Sequence, residues 1–465
     1  MASAHGMTSA DAAWLHMDRP TNLMVITSAM WCDEPLDWDA VREVVATRLV
    51  DRFPTFRRRI RESRVPLRAP TWEDDPDFDL DLHLHRRALP PPGDAAALQE
   101  LVGDLMAQPL DRSRPLWDWY LIDGYGEGSA IVARMHHCIA DGVALARVLL
   151  SLTDSQADVQ IEPEEPEQGS GGGIGGLLGD VAGTPQRVAS AGLDLGRAGA
   201  HEAVEVVRDP SRLVDLAAAA GDDVKAVGKS LFSGPDARTV LKGDLGVGER
   251  VAWSEPMPLD EVKAVGHATG TTVNDVLVTA IAGALRSYLA ARDSLVDEMH
   301  AFVPFNLRPL DQPLPRRLGN RFGLVLLAVP VGIEDARRRL HEVHRRMAEI
   351  KDSPEGAVGY GLLEALGTTP SEVEQRLLEF FSAAGSAVIT NVPGPAELVY
   401  LAGTPVRGVL VWAPAAGSVA MSFSIFSYAG EVTVGVMADR GLVPDPTEIV
   451  GALGRELQDL LAASP

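Results

Sequence analysis

The sequence is short of the features that mark several large classes of protein. Of its 465 residues only two are cysteines, Cys32 and Cys138, too few for a disulfide framework. This scarcity favours a reducing, cytoplasmic location. Basic residues are outnumbered 42 to 65 by acidic ones, which leaves a formal charge of −23. Nucleic-acid binders need a basic surface, so no nucleic-acid partner is expected.

Targeting segments and long apolar runs are also lacking. The N-terminus has neither the basic start nor the apolar core of a secretory signal. The longest strongly apolar stretch, 322–333, is interrupted by Pro330 and falls short of the roughly 20 residues that span a bilayer. It is better explained as a buried strand. We expect a protein that meets membranes, at most, at their surface.

Several catalytic and cofactor motifs are missing or incomplete. No GxSxG elbow and no Walker A loop occurs. Residues 171–176 match GxGxxG but follow an acidic stretch rather than a strand, which argues against a dinucleotide site. His341 and His344 resemble a zincin motif that is one residue short and has no evident third ligand, so a solvated helix face is preferred. We expect no metal site.

Apolar periodicity indicates two lobes that each mix helices and strands. The acidic, glycine-rich residues 154–180 and the helical pattern at 187–232 are typical of a linker. We therefore predict an α/β protein with lobes at 1–153 and 246–465, joined by 154–245. Helices are predicted at 39–50, 95–106, 272–291, 333–350 and 445–461, and strands at 119–122, 130–135, 387–390, 408–412, 419–428 and 431–438.

The most informative motif lies between a strand pattern and a helix pattern, and contains His136, His137, Asp141 and Gly142. Neighbouring strand residues face opposite sides, so one histidine can face a cleft while the other supports the scaffold. A neutral imidazole can take a proton from an alcohol that attacks an acyl carbon. Asp141 either orients a histidine or holds the turn through a salt bridge to a distant arginine, and Gly142 permits the turn and close helix packing. The alternatives to a catalytic role are that the two histidines pack in the core or bind a metal.

Six further motifs follow one another in a specific order. They are SADAAWL at 9–15, RPLW at 114–117, Asn274-Asp275, VPFNLR at 303–308, LGN at 318–320 and TNVPGP at 390–395. Together with the HHxxxDG motif they resemble the bacterial wax ester synthase/diacylglycerol acyltransferase family. That family belongs to the superfamily of chloramphenicol acetyltransferase-like enzymes and condensation domains.

The resemblance implies two chloramphenicol acetyltransferase-like lobes with mixed sheets and an active-site tunnel between them. It implies an O-acyltransferase that moves a fatty acyl group from acyl-CoA to diacylglycerol or a long-chain alcohol. His137 would be the general base, and His136, Asp141 and Gly142 would be structural. Acyl-CoA is a substrate here, and no cofactor is expected. The alternatives are a non-catalytic lipid-binding scaffold and a condensation-type acyltransferase that uses carrier-protein thioesters.

The resemblance also places four other residues at or near the site. Asn274 and Asp275 would lie close to it, with Asn274 either an oxyanion donor or a helix N-cap. Leu116 and Trp117 either pack in the core or contact the acyl chain.

The implied substrates need cationic and lipid-facing surfaces. One arginine-rich segment could bind CoA or an anionic membrane, or could be a solvated helix face; it contains Arg52, Arg57, Arg58, Arg59, Arg61, Arg64 and Arg68. The arginines at 337–339 and 345–346 are rivals for the same role. The acidic residues of 71–82 are expected in solvent. Residues 187–232 would be either an anchor for a membrane or lipid-droplet surface or a spacer.

Overall fold

The computed structural model describes residues 5–63, 69–157, 235–306, 313–351, 379, 382–415 and 417–463. The helices are α1 (Ser9–Met17), α2 (Trp38–Val44), α3 (Ala95–Met106), α4 (Gly142–Leu150), α5 (Leu259–Thr269), α6 (Val273–Ala290), α7 (Ala336–Lys351) and α8 (Pro446–Ala463). The strands are β1 (His5–Gly6), β2 (Val25–Cys32), β3 (Arg58–Arg61), β4 (Thr71–Asp74), β5 (Leu84–Ala88), β6 (Trp117–Tyr125), β7 (Gly128–His136), β8 (Glu249–Trp253), β9 (Met257–Pro258), β10 (Met299–Asn306), β11 (Phe322–Val329), β12 (Ala387–Pro393), β13 (Tyr400–Leu401), β14 (Thr404–Pro405), β15 (Gly408–Trp412), β16 (Met421–Tyr428) and β17 (Glu431–Asp439).

The first lobe is built on a five-stranded mixed sheet in the order β15-β2-β7-β6-β5. Strands β6 and β7 form a hairpin, and β7 lies between β6 and β2 with every residue buried. A strand buried on both faces needs apolar side chains at nearly all positions, as in the Ala-Ile-Val-Ala run of β7. The two histidines of the motif therefore stand at the end of the strand in the middle of this sheet.

The second lobe is built on a mixed sheet in the order β11-β10-β12-β16-β17-β8, with β9 beside β17. Its two faces have different neighbours because side chains alternate along a strand. Phe423 and Ile425 of β16 belong to the core shared with the helices of this lobe, whereas Phe426 and Met437 belong to the core shared with the first lobe. The two-lobed α/β class predicted from the sequence is confirmed.

One strand connects the lobes. β15 follows β12 in the chain, yet it pairs with β2 at the edge of the first sheet. Trp412 at its end packs on Gly435 of β17, where an added Cβ would lie 2.8 Å from the indole Nε1. Ser424 Oγ of β16 also donates a hydrogen bond to the Val411 carbonyl at 2.7 Å. The local pattern of β15 predicted a strand, but nothing in it indicated which sheet the strand joins.

Part of the predicted linker packs against the second lobe. The Asp236 side chain contacts His300 Nδ1 at 2.9 Å and accepts a hydrogen bond from Ser386 Oγ at 2.5 Å. Leu241 is fully buried in the second core. Residues 187–232, predicted as an anchor or a spacer, lie outside the described residues. In the described part of the chain, no helix is long and apolar enough to cross a membrane.

A partly buried carboxyl group lies where the two lobes meet. Glu249 pairs with Asp439 at the end of the β8–β17 ladder, and the carbonyl of Glu249 lies 2.9 Å from where a Cβ on Gly103 of α3 would be. Burial, and secondarily the nearby Asp439 carboxylate, raise the pKa of Glu249 to about 8. The Glu249 carboxyl group is therefore protonated in the folded protein at pH values where it is ionised in the unfolded chain.

Because the folded protein keeps this proton on Glu249, its free energy of unfolding should depend on pH. Between pH 4.5 and about 8 the native state holds a proton that the unfolded state has lost, so the free energy of unfolding falls as pH rises through this window. We expect Glu249→Gln to melt at a higher temperature than the wild type at pH 9 and to match it near pH 4.5. Thermal melts at several pH values measure this. Glu431→Gln, which removes an exposed carboxylate from the same sheet, is the control, and parallel curves for Glu249→Gln and wild type would contradict the assignment.

Candidate active site

The paired histidines are held by backbone hydrogen bonds on opposite sides of β7. The His136 N–H donates to the Leu116 carbonyl at 2.9 Å, and the His137 N–H donates to the Met24 carbonyl at 2.7 Å. One bond reaches the segment before β6 and the other the segment before β2. The two rings therefore have different surroundings, as the alternation of strand residues predicted.

His137 lies in an aromatic enclosure at the junction of the lobes. Its ring stacks on Trp14 of α1 with centroids 3.9 Å apart, and lies 5.5 Å from the ring of Phe322 of β11. The residue is 4% exposed, and within the described residues its Nδ1 has no hydrogen-bond partner. Burial disfavours the charged imidazolium and lowers the pKa of His137 to about 3. The ring is therefore neutral at physiological pH and able to accept a proton.

His136 is held by a different set of contacts. Its Nδ1 accepts a hydrogen bond from the Cys138 N–H at 3.1 Å, so the ring proton lies on Nε2. Nε2 is 3.9 Å from Asp18 Oδ2, and Asp18 also accepts from the Met24 N–H and from Arg112 Nη2. Burial raises the pKa of Asp18, but the contacts with His136, Met24 and Arg112 outweigh it and hold the pKa below its ordinary value. Asp18 stays ionised and supports His136.

Asp141 is part of the scaffold of the turn. Its Oδ1 accepts from the Ala144 N–H at 2.8 Å and so caps α4, while Oδ2 accepts from the Arg321 N–H of the second lobe at 3.1 Å. The carboxylate thus holds the turn after His137 to the segment that leads into β11. Of the two roles considered for Asp141, these contacts favour holding the turn.

The expectation that the turn and close helix packing require glycine at position 142 is wrong. Gly142 is the first residue of α4 and is not among the residues with positive φ. A Cβ built on it would meet no atom within 4 Å. Neither the turn nor close helix packing requires glycine at this position. The glycine instead leaves open space next to the Asp141 cap.

The SADAAWL and LGN motifs meet next to His137. Asn320 of the LGN motif donates its amide Nδ2 to the His137 carbonyl and to Asp11 Oδ1 of α1, both at 2.8 Å. The Asn320 N–H donates to the same Asp11 oxygen at 3.0 Å. Asp11 and Asn320 are both buried. This Asp11–Asn320–His137 network joins the two lobes at the histidine, and the sequence motifs had not assigned a role to either partner.

Leu116 and Trp117 pack within the first lobe. Trp117 is 1% exposed, donates its indole N–H to the Phe56 carbonyl at 2.9 Å and stacks on His83 at 4.4 Å. The Leu116 side chain is buried, and the carbonyl of Leu116 holds the His136 backbone. Of the two roles considered for this motif, packing is the one that these contacts support.

Asn274 and Asp275 begin α6, in the second lobe. The N-cap is Thr272, and Thr272 and Asp275 exchange side-chain hydrogen bonds in a capping box, so Asn274 is not the cap. Asn274 Oδ1 accepts from Asn391 Nδ2 at 3.0 Å. Asp275 Oδ2 also contacts His344 Nδ1 at 2.8 Å. His344, set aside in the sequence as a solvated residue, therefore supports the buried Asp275, and no local signal identified that pairing.

Carboxylates, mainly those of strand β4, pair with the described arginines of the N-terminal segment. β3 pairs antiparallel with β4, so the segment forms a strand at this point and the expected solvated helix face is wrong. The acidic residues expected in solvent supply much of the neutralising charge. The ion pairs are Arg57–Asp51, Arg58–Asp74, Arg59–Glu73 and Arg61–Glu73, with N–O distances from 2.7 to 3.6 Å. Arg64 and Arg68 lie outside the described residues.

The rival arginines on α7 are also mostly paired. Arg339 is buried against Glu456 of α8, and Arg345 contacts both Glu342 and Glu349. Arg346 likewise contacts Glu342, so Arg337 and Arg338 are the exposed arginines left near the start of the helix. Within their described residues, neither arginine-rich segment offers the continuous basic face that its sequence indicated.

Cys138 has the properties of a core residue. It is fully buried, and burial raises the pKa of its thiol well above the ordinary value. A thiol nucleophile must ionise readily, so this position does not favour one. The imidazole of His137, in contrast, is neutral and can accept a proton.

Comparisons of this sequence with protein families and known relatives agree with the family that the sequence motifs resemble. A model described as the wax ester synthase/diacylglycerol acyltransferase catalytic domain matches residues 7–277, and one described as the WS/DGAT C-terminal domain matches 318–461. A probable diacylglycerol O-acyltransferase of Mycobacterium tuberculosis is 30% identical and aligns over 98% of this chain and 95% of its own length. A putative diacylglycerol O-acyltransferase of the same organism is also 30% identical, over 92% of this chain and 89% of its own.

Solved structures show the same fold. The wax ester synthase/diacylglycerol acyltransferase of Marinobacter aquaeolei VT8 aligns with a TM-score of 0.69 and 22% identity, over 99% of this chain and all of that one. The first condensation domain of the CDA synthetase aligns with a TM-score of 0.60 and 17% identity, over 99% and 97%. At these identities the two structures support the architecture, whereas the family models and the relatives carry the narrower assignment.

Proposed function

The chain belongs to the wax ester synthase/diacylglycerol acyltransferase family and is an acyl-CoA-dependent O-acyltransferase, and we propose that His137 is its general base. The reaction moves a fatty acyl group from acyl-CoA to the hydroxyl of diacylglycerol, of a long-chain alcohol, or of both. The observation that carries the proposal is the neutral imidazole of His137, enclosed by Trp14 and Phe322 at the junction of the lobes.

The proposed acyl transfer involves two proton transfers by His137. His137 takes the hydroxyl proton while the oxygen attacks the thioester carbon, which gives a tetrahedral oxyanion. Collapse of that intermediate breaks the C–S bond, and the imidazolium returns the proton to the departing thiolate of CoA. The enclosure that keeps His137 neutral also makes its imidazolium a ready acid. The mechanism needs neither a covalent acyl-enzyme nor a cofactor.

We assign Asn274 as the oxyanion donor in this scheme. Its Oδ1 is engaged by Asn391, which leaves the amide N–H groups of Asn274 to donate elsewhere. The capping box between Thr272 and Asp275 and the His344 contact hold the first turn of α6 in place. A donor that is fixed before the reaction stabilises a developing oxyanion without reorganisation.

One assay tests the function. Release of CoA from palmitoyl-CoA is followed with diacylglycerol, with hexadecanol and with neither acceptor. Acceptor-dependent release together with formation of the ester is expected. Release without an acceptor would identify a thioesterase, and absence of turnover with every acceptor would favour the lipid-binding scaffold. A parallel reaction uses a palmitoyl carrier protein as the donor, and transfer from that donor without transfer from palmitoyl-CoA would favour a condensation-type enzyme over the scaffold.

The acceptors suggest where the enzyme works. Diacylglycerol and long-chain alcohols reside in membranes and lipid droplets, so we propose peripheral association with such a surface from the cytoplasm. Enzyme incubated with liposomes that contain diacylglycerol should float with them to the top of the gradient in a flotation assay. Recovery of all the protein in the aqueous fraction would contradict this association.

The buried state of His137 predicts the acid limb of the pH profile. A base must be neutral to act, and an imidazole with its pKa lowered to about 3 stays neutral well below pH 6.5. We expect kcat/KM to be nearly constant from pH 7 down to about pH 5, as long as the protein stays folded. Initial rates, with circular dichroism at each pH, measure this. A folded enzyme that loses half its kcat/KM near pH 6.5 would contradict the burial of the base.

A further inference from the structure

Three arginines lie on the segment that leads to the Asp11–Asn320–His137 network. Arg316, Arg317 and Arg321 are exposed, and they flank Leu318, Gly319 and Asn320 in the chain. We call them the 316–321 arginine cluster. Arg321 directly follows Asn320, whose side chain contacts the His137 carbonyl at 2.8 Å. The cluster is therefore a group of positive charges at the surface, on the segment whose Asn320 contacts the backbone of the proposed base.

The cluster differs from the other arginine-rich segments in its charge balance. The arginines of β3 and most of those on α7 are paired with carboxylates of the chain. In the described part of the chain, no carboxylate forms an ion pair with Arg316, Arg317 or Arg321. In a protein with a net charge of −23, unpaired positive charges beside the site create a local attraction for an anion.

The backbone around the cluster is fixed by two buried carboxylates. The Asn320 N–H donates to Asp11 at 3.0 Å, and the Arg321 N–H donates to Asp141 at 3.1 Å. Asp141 in turn caps α4 directly after the histidine motif. The backbone that carries Arg321 is thus held at a fixed place relative to the turn after His137, as a site that binds one end of a substrate requires.

The geometry of the donor substrate matches this arrangement. The phosphates of CoA lie at the far end of the pantetheine arm from the thioester. When the thioester carbon is at the buried His137, the phosphates must extend toward the surface. Arginine suits phosphate because its planar guanidinium presents several donors to the oxygens at once.

We propose that the 316–321 arginine cluster binds the phosphates of the acyl-CoA donor. This inference rests on the proposed function, because it names where the donor of that reaction is held. It assigns specificity for a phosphate-bearing thioester over the same acyl group on a carrier that has no phosphates.

Binding of free CoA tests the cluster without the need for catalysis. Isothermal titration calorimetry compares the full-length wild type with the triple variant Arg316→Gln, Arg317→Gln and Arg321→Gln, which keeps the backbone N–H bonds. We expect CoA to bind the variant about 10- to 100-fold more weakly, because charge-assisted hydrogen bonds are lost. 3′-Dephospho-CoA should show a smaller loss. The KM for S-palmitoyl pantetheine, which has no phosphate, should change less than the KM for palmitoyl-CoA.

The matched control removes exposed arginines elsewhere. Arg337→Gln with Arg338→Gln neutralises two exposed side chains at the start of α7 and should leave CoA affinity within about twofold of the wild type. A loss of CoA affinity in this control and not in the triple variant would overturn the proposal. So would an unchanged CoA affinity in the triple variant combined with loss of binding to phosphatidylglycerol vesicles, which would identify the cluster as a membrane contact.

These measurements distinguish a failure of CoA binding by the cluster from a failure of acyl transfer. A wild-type enzyme that binds CoA through the cluster but transfers no acyl group would support the cluster and refute the proposed function. An active enzyme whose triple variant has the same affinity for CoA and for palmitoyl-CoA would refute the cluster and leave the function standing.

Discussion

Replacement of His137 by alanine is expected to lower turnover by about 10²–10⁴-fold, the usual contribution of a positioned general base. The variant lacks the imidazole that lies between Trp14 and Phe322 and that accepts the hydroxyl proton in the proposed mechanism. Background transfer would persist through binding of the two substrates side by side. The measurement is CoA release from palmitoyl-CoA with a saturating acceptor.

Folding must be checked because His137 also fills space between two rings. Thermal melts and near-ultraviolet circular dichroism should show that His137→Ala keeps the native packing, with a lower melting temperature. His85→Ala is the matched control, since His85 is partly exposed and contacts Asp118 at the edge of the first sheet. It should retain the wild-type rate. Near-normal turnover in a folded His137→Ala protein would remove His137 from the role of base.

Replacement of Asp11 by alanine is expected to cost both stability and rate. The change removes the acceptor of two hydrogen bonds, from the N–H and from the side chain of buried Asn320. A buried donor left without a partner costs about 1–3 kcal/mol, so two of them should lower the melting temperature clearly. Asn320 would no longer be fixed against the His137 carbonyl, and a displaced base predicts a loss in turnover of about 10–100-fold.

Two further variants separate positioning from stability. Burial raises the pKa of Asp11, so the neutral side chain of Asp11→Asn, which keeps one acceptor oxygen, should restore most of the rate. Asp94→Ala removes the exposed N-cap of α3 and should lower stability by about 1 kcal/mol with no change in turnover. Loss of stability in Asp11→Ala without loss of rate would show that the network only holds the lobes together.

The periodic elements were predictable wherever one face of a segment is apolar. The helix at 95–106 agrees with α3 over its full length, and the strand at 408–412 agrees with β15. The partner of β15 was not predictable, because a uniformly apolar segment fits the edge of either sheet. The predicted helix at 39–50 keeps regular α-helical turns only as far as Val44. Its apolar spacing could not indicate the wider turns that follow.

Charge was the least predictable property. The composition placed the acidic residues of 71–82 in solvent and left the preceding arginines as a basic face. The β3–β4 pairing instead brings Arg58 and Arg59 against Asp74 and Glu73. Two charged segments close in sequence can pair or separate, and strand register decides between these outcomes. The acidic surplus is thus in part a set of ion pairs rather than free surface charge.

The histidine motif, its place between a strand and a helix, the two-lobed α/β class and the family were all readable in the residues, because each depends on local spacing or motif order. The isolation of His137 between Trp14 and Phe322, and the Asp11–Asn320 contact behind it, were not readable. These groups come from segments about 120 to 310 positions apart in sequence. The folding of the first lobe brings Trp14 onto His137, and the packing of the second lobe on the first adds Phe322 and Asn320. Burial then lowers the pKa of the imidazole, a property that depends on surroundings rather than on residue type.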